Sequence, residues 1–130
     1  GERSHAEMLE LVDRIRDADP APRLLVYDGP VYLYTLLGYR PVSPLAFPLH
    51  TSALPERDVS HLDTEAEFAR MLAQRPTTVV FHRHAKPPNL YNPVTRDAVW
   101  AYVRGHCRGQ FSHQLHDMYG DVFTRCGGER

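Results

Sequence analysis

Two polar clusters in the sequence contain residue types that could carry acid–base chemistry. Tyr27-Asp28-Gly29 follows one apolar run, and His82-Arg83-His84 follows another. An aspartate can act as a base or a ligand, and a histidine as an acid, a base or a metal ligand. Both runs are predicted to be strands of a parallel sheet, and such sheets bind ligands at the carboxyl ends of their strands. The candidate binding residues are therefore Tyr27, Asp28, Gly29, Tyr32, His82 and His84.

A purely structural interpretation of these residues stays open. In that interpretation Asp28 caps the helix that follows it, and His82-Arg83-His84 is solvated loop. The chain has eight histidines, but it has no HExxH motif and no cysteine at ligand spacing, so scattered surface histidines are the alternative to a metal site. It also lacks GxGxxG, Walker A and GxSxG motifs. We predict no metal, no cofactor and no catalytic residue in this chain.

Tyrosines are concentrated beside the first cluster. Aromatic side chains can stack on sugar rings or lie at a membrane interface, and they can equally be core residues with the hydroxyl at the rim. The sequence leaves these alternatives open. The four tyrosines are Tyr27, Tyr32, Tyr34 and Tyr39.

The elements that position these clusters follow from hydrophobic periodicity and capping signals. Apolar residues spaced as on one helix face follow each predicted helix start, and short β-branched runs between turn residues indicate strands. The predicted helices begin at the Ser4 capping box, at Val31, at Asp63 or Thr64, and at Asn92. The predicted strands are Arg23–Tyr27, Leu45–Phe47 and Thr77–Phe81, followed by a hairpin of Phe111–Leu115 and Val122–Cys126 around Asp117-Met118-Tyr119-Gly120.

This order alternates helices with strands and ends in two adjacent strands. Right-handed βαβ crossovers then favour a parallel sheet with helices on both faces. The predicted fold class is α/β, a small three-layer, doubly wound, mostly parallel sheet with a C-terminal antiparallel hairpin. We expect residues 1–130 to form a single domain.

Composition narrows the functional classes. The net charge of the chain is −1, and no basic stripe is present to neutralise phosphates, so we expect no nucleic-acid partner. No apolar run approaches the roughly 18–20 residues that span a bilayer. Residue 1 is Gly and not Met, so we expect the chain to be a piece of a larger protein.

The two cysteines could form a disulfide. Cys107 and Cys126 fit neither a CxxC redox pair nor a zinc site. If the hairpin turns about Met118-Tyr119, Cys126 lies across from about Phe111, and a bend at Arg108-Gly109 could bring Cys107 close to it. Two unrelated thiols remain the alternative.

A longer segment resembles a known family. In the segment from Leu25 to Pro41, a strand, a turn with Pro, a Tyr-bearing helix ending in Gly and an Arg-Pro pair follow one another. Phe47-Pro48, and Arg75-Pro76 before a Val-rich strand, extend the pattern. This resembles the C-terminal soluble region of bacterial polytopic glycosyltransferases related to protein O-mannosyltransferases and aminoarabinose transferases.

The resemblance implies a domain on the extracytoplasmic, periplasmic face of the inner membrane. Such enzymes have a GT-C membrane part that takes sugar from a polyprenyl-phosphate carrier, and the catalytic acid lies there. The implied partners are the transmembrane domain of the same polypeptide and a sugar or lipid-linked sugar. Two alternatives remain: a free-standing small α/β enzyme acting through Asp28 and His84, and a protein-interaction module.

Overall fold

The fold contains both helices and strands, as the sequence predicts, and in the described part of the chain two helices follow the first strand. A computed structural model describes residues 2–30, 32–38, 64–82, 91–115 and 118–127, and within these ranges it contains four helices and four strands. The helices are α1 (Glu2–Ala18), α2 (Tyr32–Leu36), α3 (Thr64–Ala73) and α4 (Pro93–His106). The strands are β1 (Leu24–Asp28), β2 (Thr78–His82), β3 (Gly109–Leu115) and β4 (Met118–Thr124). The α/β class is therefore confirmed, while the predicted strand Leu45–Phe47 lies outside the described residues.

The start of α4 and the end of α2 follow the predicted signals, whereas α1 begins at Glu2, so the predicted start at the Ser4 capping box is wrong. Asn92 is the N-cap of α4, and its side chain accepts hydrogen bonds from the backbone N–H groups of Val94, at 2.9 Å, and Thr95, at 3.3 Å. Pro93 occupies the first turn, where it removes no needed donor. After α2, Gly38 has a φ of 69°, the left-handed conformation that commonly ends a helix.

The sheet is mixed. Its strands lie in the order β1-β2-β4-β3, with β1 and β2 parallel and the other two pairings antiparallel. Only one of these three pairings is parallel, so the described strands do not form the mostly parallel sheet that the sequence predicts. The reason is that β4 of the hairpin lies next to β2 and runs antiparallel to it. All five residues of β1 are buried. The apolar run predicts this for Leu24–Tyr27, and Asp28 is buried as well.

Two apolar clusters make up the core, and neighbouring residues of β1 and β2 belong to different clusters. Val26 and Val80 pack with side chains of α1 and α2. Tyr27 and Phe81 pack with side chains of α3 and α4. Since successive strand residues point to opposite faces, the two clusters lie on opposite faces of β1 and β2.

The register of the hairpin differs from the predicted one. Leu115 pairs with Met118, so the strands are joined by residues 116–117, and Phe111 pairs with Val122. The predicted turn at Met118-Tyr119 is therefore wrong, as is the pairing of Cys126 with Phe111. Gly120 is a strand residue that pairs with His82 and His113. Glycine suits this position because a Cβ there would lie 3.2 Å from the carbonyl oxygen of Phe81 on β2.

Candidate functional site

The candidate site lies where β1 and β2 end. These strands are parallel, and Asp28 pairs with Phe81 after an irregularity in the ladder that follows Val26. The next residue of β2 is His82, whose backbone pairs with Gly120 of β4. The predicted meeting of the two strand ends at one edge is confirmed, while Arg83 and His84 lie outside the described residues.

Asp28 is held by a residue that the sequence did not single out. Its side chain is buried, with 5% of its surface exposed, and one carboxylate oxygen accepts a 2.5 Å hydrogen bond from the hydroxyl of Tyr91. Tyr91 immediately precedes the cap of α4, and the guanidinium of Arg96 lies 5.1 Å from the centre of its ring. The hydrogen bond therefore ties the end of β1 to the start of α4, across 63 residues of chain.

Tyr27 is a core residue. Only 1% of its surface is exposed, and its ring lies 5.5 Å from that of Phe68 and 5.4 Å from that of Phe81, between ring centres. Its hydroxyl is 2.9 Å from the hydroxyl of Thr95, which donates in turn to the carbonyl of Asn92 at 3.3 Å. Burial raises the pKa of Tyr27 to about 12, so the phenol stays neutral and serves as a structural donor.

Asn92 and Glu65 extend the hydrogen bonds that Tyr27 and Thr95 make. The side-chain amide of Asn92 is fully buried and donates to the carboxylate of Glu65 on α3 at 3.3 Å. Asn92 thus caps α4 with its oxygen and contacts α3 with its nitrogen. The starts of α3 and α4 and the end of β1 are joined by one set of hydrogen bonds centred on Asp28, Tyr91, Asn92 and Thr95, which we call the strand-end cluster.

The other tyrosines divide between rim and core. Tyr32, at the start of α2, has 58% of its surface exposed, and Gly29 beside it is partly exposed. Tyr34 is buried, and its hydroxyl accepts a 2.8 Å hydrogen bond from the N–H of Val26 on β1. Tyr39 lies outside the described residues. The structure brings Asp28, Gly29 and Tyr32 to one edge, and Tyr32 presents the largest apolar surface among them.

A second polar cluster, at the opposite edge of the sheet, has a structural role. One oxygen of Asp19 accepts hydrogen bonds from the hydroxyls of Thr77, at 2.5 Å, and Thr78, at 2.8 Å. The hydroxyl of Tyr102 donates to the carbonyl of Pro76 at 2.6 Å. These bonds attach the end of α1 and the middle of α4 to the start of β2.

The disulfide lies at this opposite edge. Cys107 and Cys126 are bonded through their sulfur atoms, the pairing that the sequence left open. Gly109 pairs with Thr124, and continuing that register by two residues places the two cysteines opposite each other. The N–H of Cys126 also donates to the carbonyl of Thr77 at 3.1 Å. The bridge therefore joins the end of α4 to the end of the hairpin, beside β2.

His113 is a buried histidine with defined partners. Its Nδ1 lies 3.2 Å from a guanidinium nitrogen of Arg14, and its Nε2 lies 3.0 Å from the carbonyl oxygen of Glu7. Since a guanidinium only donates, Nδ1 accepts, and Nε2 carries the proton that is donated to Glu7. These two contacts fasten α1 to β3.

No family model, characterised protein sequence or solved structure matches this chain. Within the described ranges, no group of three or more His, Cys, Asp or Glu side chains is arranged to hold a metal ion. No helix in those ranges is long and apolar enough to cross a membrane.

Proposed function

We propose that this chain is an accessory extracytoplasmic domain of a polytopic membrane glycosyltransferase that uses a polyprenyl-phosphate-linked sugar. The sequence resemblance suggests this role, and the Cys107–Cys126 disulfide is the structural observation that supports it. Disulfides persist in oxidising compartments such as the bacterial periplasm and are rare in the cytosol. In this proposal the bridge secures the hairpin of a domain exposed to the periplasm.

The domain positions a ligand and does not catalyse transfer by itself. At the strand ends, Asp28 is engaged by Tyr91, and Asn92 by the backbone of α4 and by Glu65. These groups hold the edge in a fixed shape. The exposed ring of Tyr32 and the adjoining Gly29 then offer a surface to a sugar or lipid-linked sugar.

The same edge of the domain would face the transmembrane part of the parent polypeptide. Three of the large apolar side chains that are exposed in the described ranges, Tyr32, Val94 and Tyr119, lie near the starts of α2, α4 and β4. Each of these elements begins next to the carboxyl ends of β1 and β2. The proposal assigns the contact with the transmembrane part to these exposed apolar side chains.

The experiment uses the full-length protein in lipid vesicles with a panel of polyprenyl-phosphate-linked sugars. Deleting residues 1–130 should abolish or strongly reduce transfer, and Tyr32→Ala should raise KM several-fold with a smaller change in kcat. Leu9→Ala is the matched control, because Leu9 is similarly exposed but lies on α1. A full-length protein without membrane spans, or transfer that does not depend on the domain, would refute the proposal.

A free-standing α/β enzyme acting through Asp28 and His84 is the second candidate. The observation that favours it is the buried Asp28 carboxylate at the strand-end edge, where folds of this class place catalytic groups. This candidate requires turnover by the isolated chain on ester, phosphate or glycoside substrates. It also requires that Asp28→Asn abolish that turnover while the protein stays folded.

We also propose that the complete chain is a three-layer, doubly wound fold. The parallel pairing of β1 and β2 and the two core clusters support it. NOEs between the helices and the sheet would test it. We expect contacts from α1 and α2 to one face of β1 and β2, and from α3 and α4 to the other, whereas contacts confined to one face would contradict the proposal.

A further inference from the structure

We propose that a groove between the end of α4 and the β3–β4 hairpin binds a small polyhydroxylated anion through a carboxylate or phosphate group. The groove is separate from the strand-end cluster, and the inference does not depend on the proposed function. Its volume is about 350 Å³, at the lower end of the range for small-molecule sites. The residues that line it include Trp100, Arg104, Arg108, Gln110, Asp121 and Phe123.

The floor of the groove is rigid. Val103 and Phe123 are buried members of the core cluster beneath α3 and α4, and the ring of Trp100 stacks on Phe81, 4.7 Å between ring centres. The disulfide fixes Cys107, at the end of α4, beside the strand that carries Phe123. The groove is therefore formed by packing and a covalent bond, so a ligand would meet a preformed surface.

Two guanidinium groups line the groove without a protein partner. Arg104 and Arg108 are both exposed, and in the described part of the chain neither guanidinium takes part in a hydrogen bond or ion pair. By contrast, Arg23 and Arg75 donate to backbone carbonyls and Arg70 pairs with Glu67. Guanidinium groups bind carboxylates and phosphates in a bidentate manner, so the two free arginines favour such an anion.

The opposite wall would bind a different part of the ligand. Asp121 and Gln110 are on neighbouring strands and both line the groove, and Asp121 accepts a 3.0 Å hydrogen bond from the hydroxyl of Ser112. A carboxylate repels an anion but accepts hydrogen bonds from hydroxyl groups, and an amide both donates and accepts. The ligand class that fits both walls is a small anion with several hydroxyls, such as a sugar phosphate or a sugar acid.

A simpler explanation accounts for part of this arrangement. A basic residue in the last turn of a helix interacts favourably with the helix dipole, and Arg104 lies in the last turn of α4. Arg108 lies beyond the helix, and the dipole does not explain the groove that both arginines line. The dipole therefore explains the presence of one arginine and leaves the shared site unexplained.

The experiment uses Trp100, the single tryptophan of the chain, as a fluorescent reporter inside the groove. Glucose 6-phosphate and glucuronate should change its emission saturably, and added salt should weaken the effect. Neutral glucose should have no effect in the same concentration range. The Arg104→Gln/Arg108→Gln double variant should bind at least tenfold more weakly, and Asp121→Ala, which leaves no acceptor at this position, should remove the preference for glucose 6-phosphate over inorganic phosphate.

Arg70→Gln is the matched control, because Arg70 lies on α3 outside the groove, and it should bind like the parent protein. Amide NMR shifts in residues 100–110 provide a second readout, and far-UV circular dichroism checks that each variant is folded. No saturable change with any anion, or equal affinity in the double variant, would overturn the site. Equal affinity for inorganic phosphate and glucose 6-phosphate would overturn the hydroxyl contacts assigned to Gln110 and Asp121.

Discussion

Removal of the Cys107–Cys126 disulfide has an effect whose size follows from the structure. The two residues are 19 positions apart, so the bridge closes a loop of about 20 residues. Restricting such a loop in the unfolded chain is worth about 3 kcal/mol. For a domain of this size, the Cys107→Ala/Cys126→Ala variant should melt roughly 10 °C lower than the oxidised parent.

Urea unfolding followed by circular dichroism measures this difference. Reductant should lower the midpoint of the parent protein and leave that of the double variant unchanged, which separates the bridge from general effects of reductant. Amide exchange should quicken at Cys126 and Gly127, whose N–H groups donate to the carbonyls of Thr77 and His106. Two free thiols in oxidised, denatured parent protein, or a loss of stability below about 1 kcal/mol, would refute the reasoning.

Three further predictions concern single side chains. Tyr91→Phe leaves the buried carboxylate of Asp28 without its hydroxyl donor and should cost about 1–3 kcal/mol in urea unfolding, whereas an unchanged midpoint would argue against that contact. Tyr27 has a pKa near 12 in the folded protein and 10.0 as its ordinary value, so the unfolded chain loses its proton first as pH rises. Stability should therefore fall by roughly 2–3 kcal/mol between pH 10 and pH 12, and Tyr27→Phe should remove that part of the fall. His113→Ala removes the donor to the carbonyl of Glu7 and should accelerate amide exchange in α1 before the rest of the chain; uniform acceleration would contradict a local role.

Helices and strands could be predicted because their signals are local. The Asn92 cap and the buried run of β1 lie within a few residues of the structure they determine. The hairpin register could not be predicted in this way. The sequence favours Gly120 as part of the turn. In the structure Gly120 lies in β4, and glycine suits it because Phe81 of β2 passes close to it. Phe81 is about 40 residues away in the chain, so no local signal shows this contact.

In the candidate site, too, the local features could be predicted from the sequence and the long-range contacts could not. The position of Asp28 at a strand end follows from the hydrophobic pattern, and so does its meeting with the end of β2. Its partner Tyr91 could not be identified, because the contact spans 63 residues and depends on how α4 packs. Tyr34 was one of several tyrosines with no distinguishing signal, and only the structure shows its hydroxyl accepting the N–H of Val26.

The location of the domain in the full-length protein is the most direct test of the central proposal. Spheroplasts that carry the full-length protein can be treated with a protease that does not cross the membrane, and the fate of residues 1–130 followed with an antibody. The account predicts that these residues are digested or released in intact spheroplasts, with Cys107 and Cys126 oxidised beforehand. A domain that stays protected until the membrane is dissolved, with both thiols free, would contradict it.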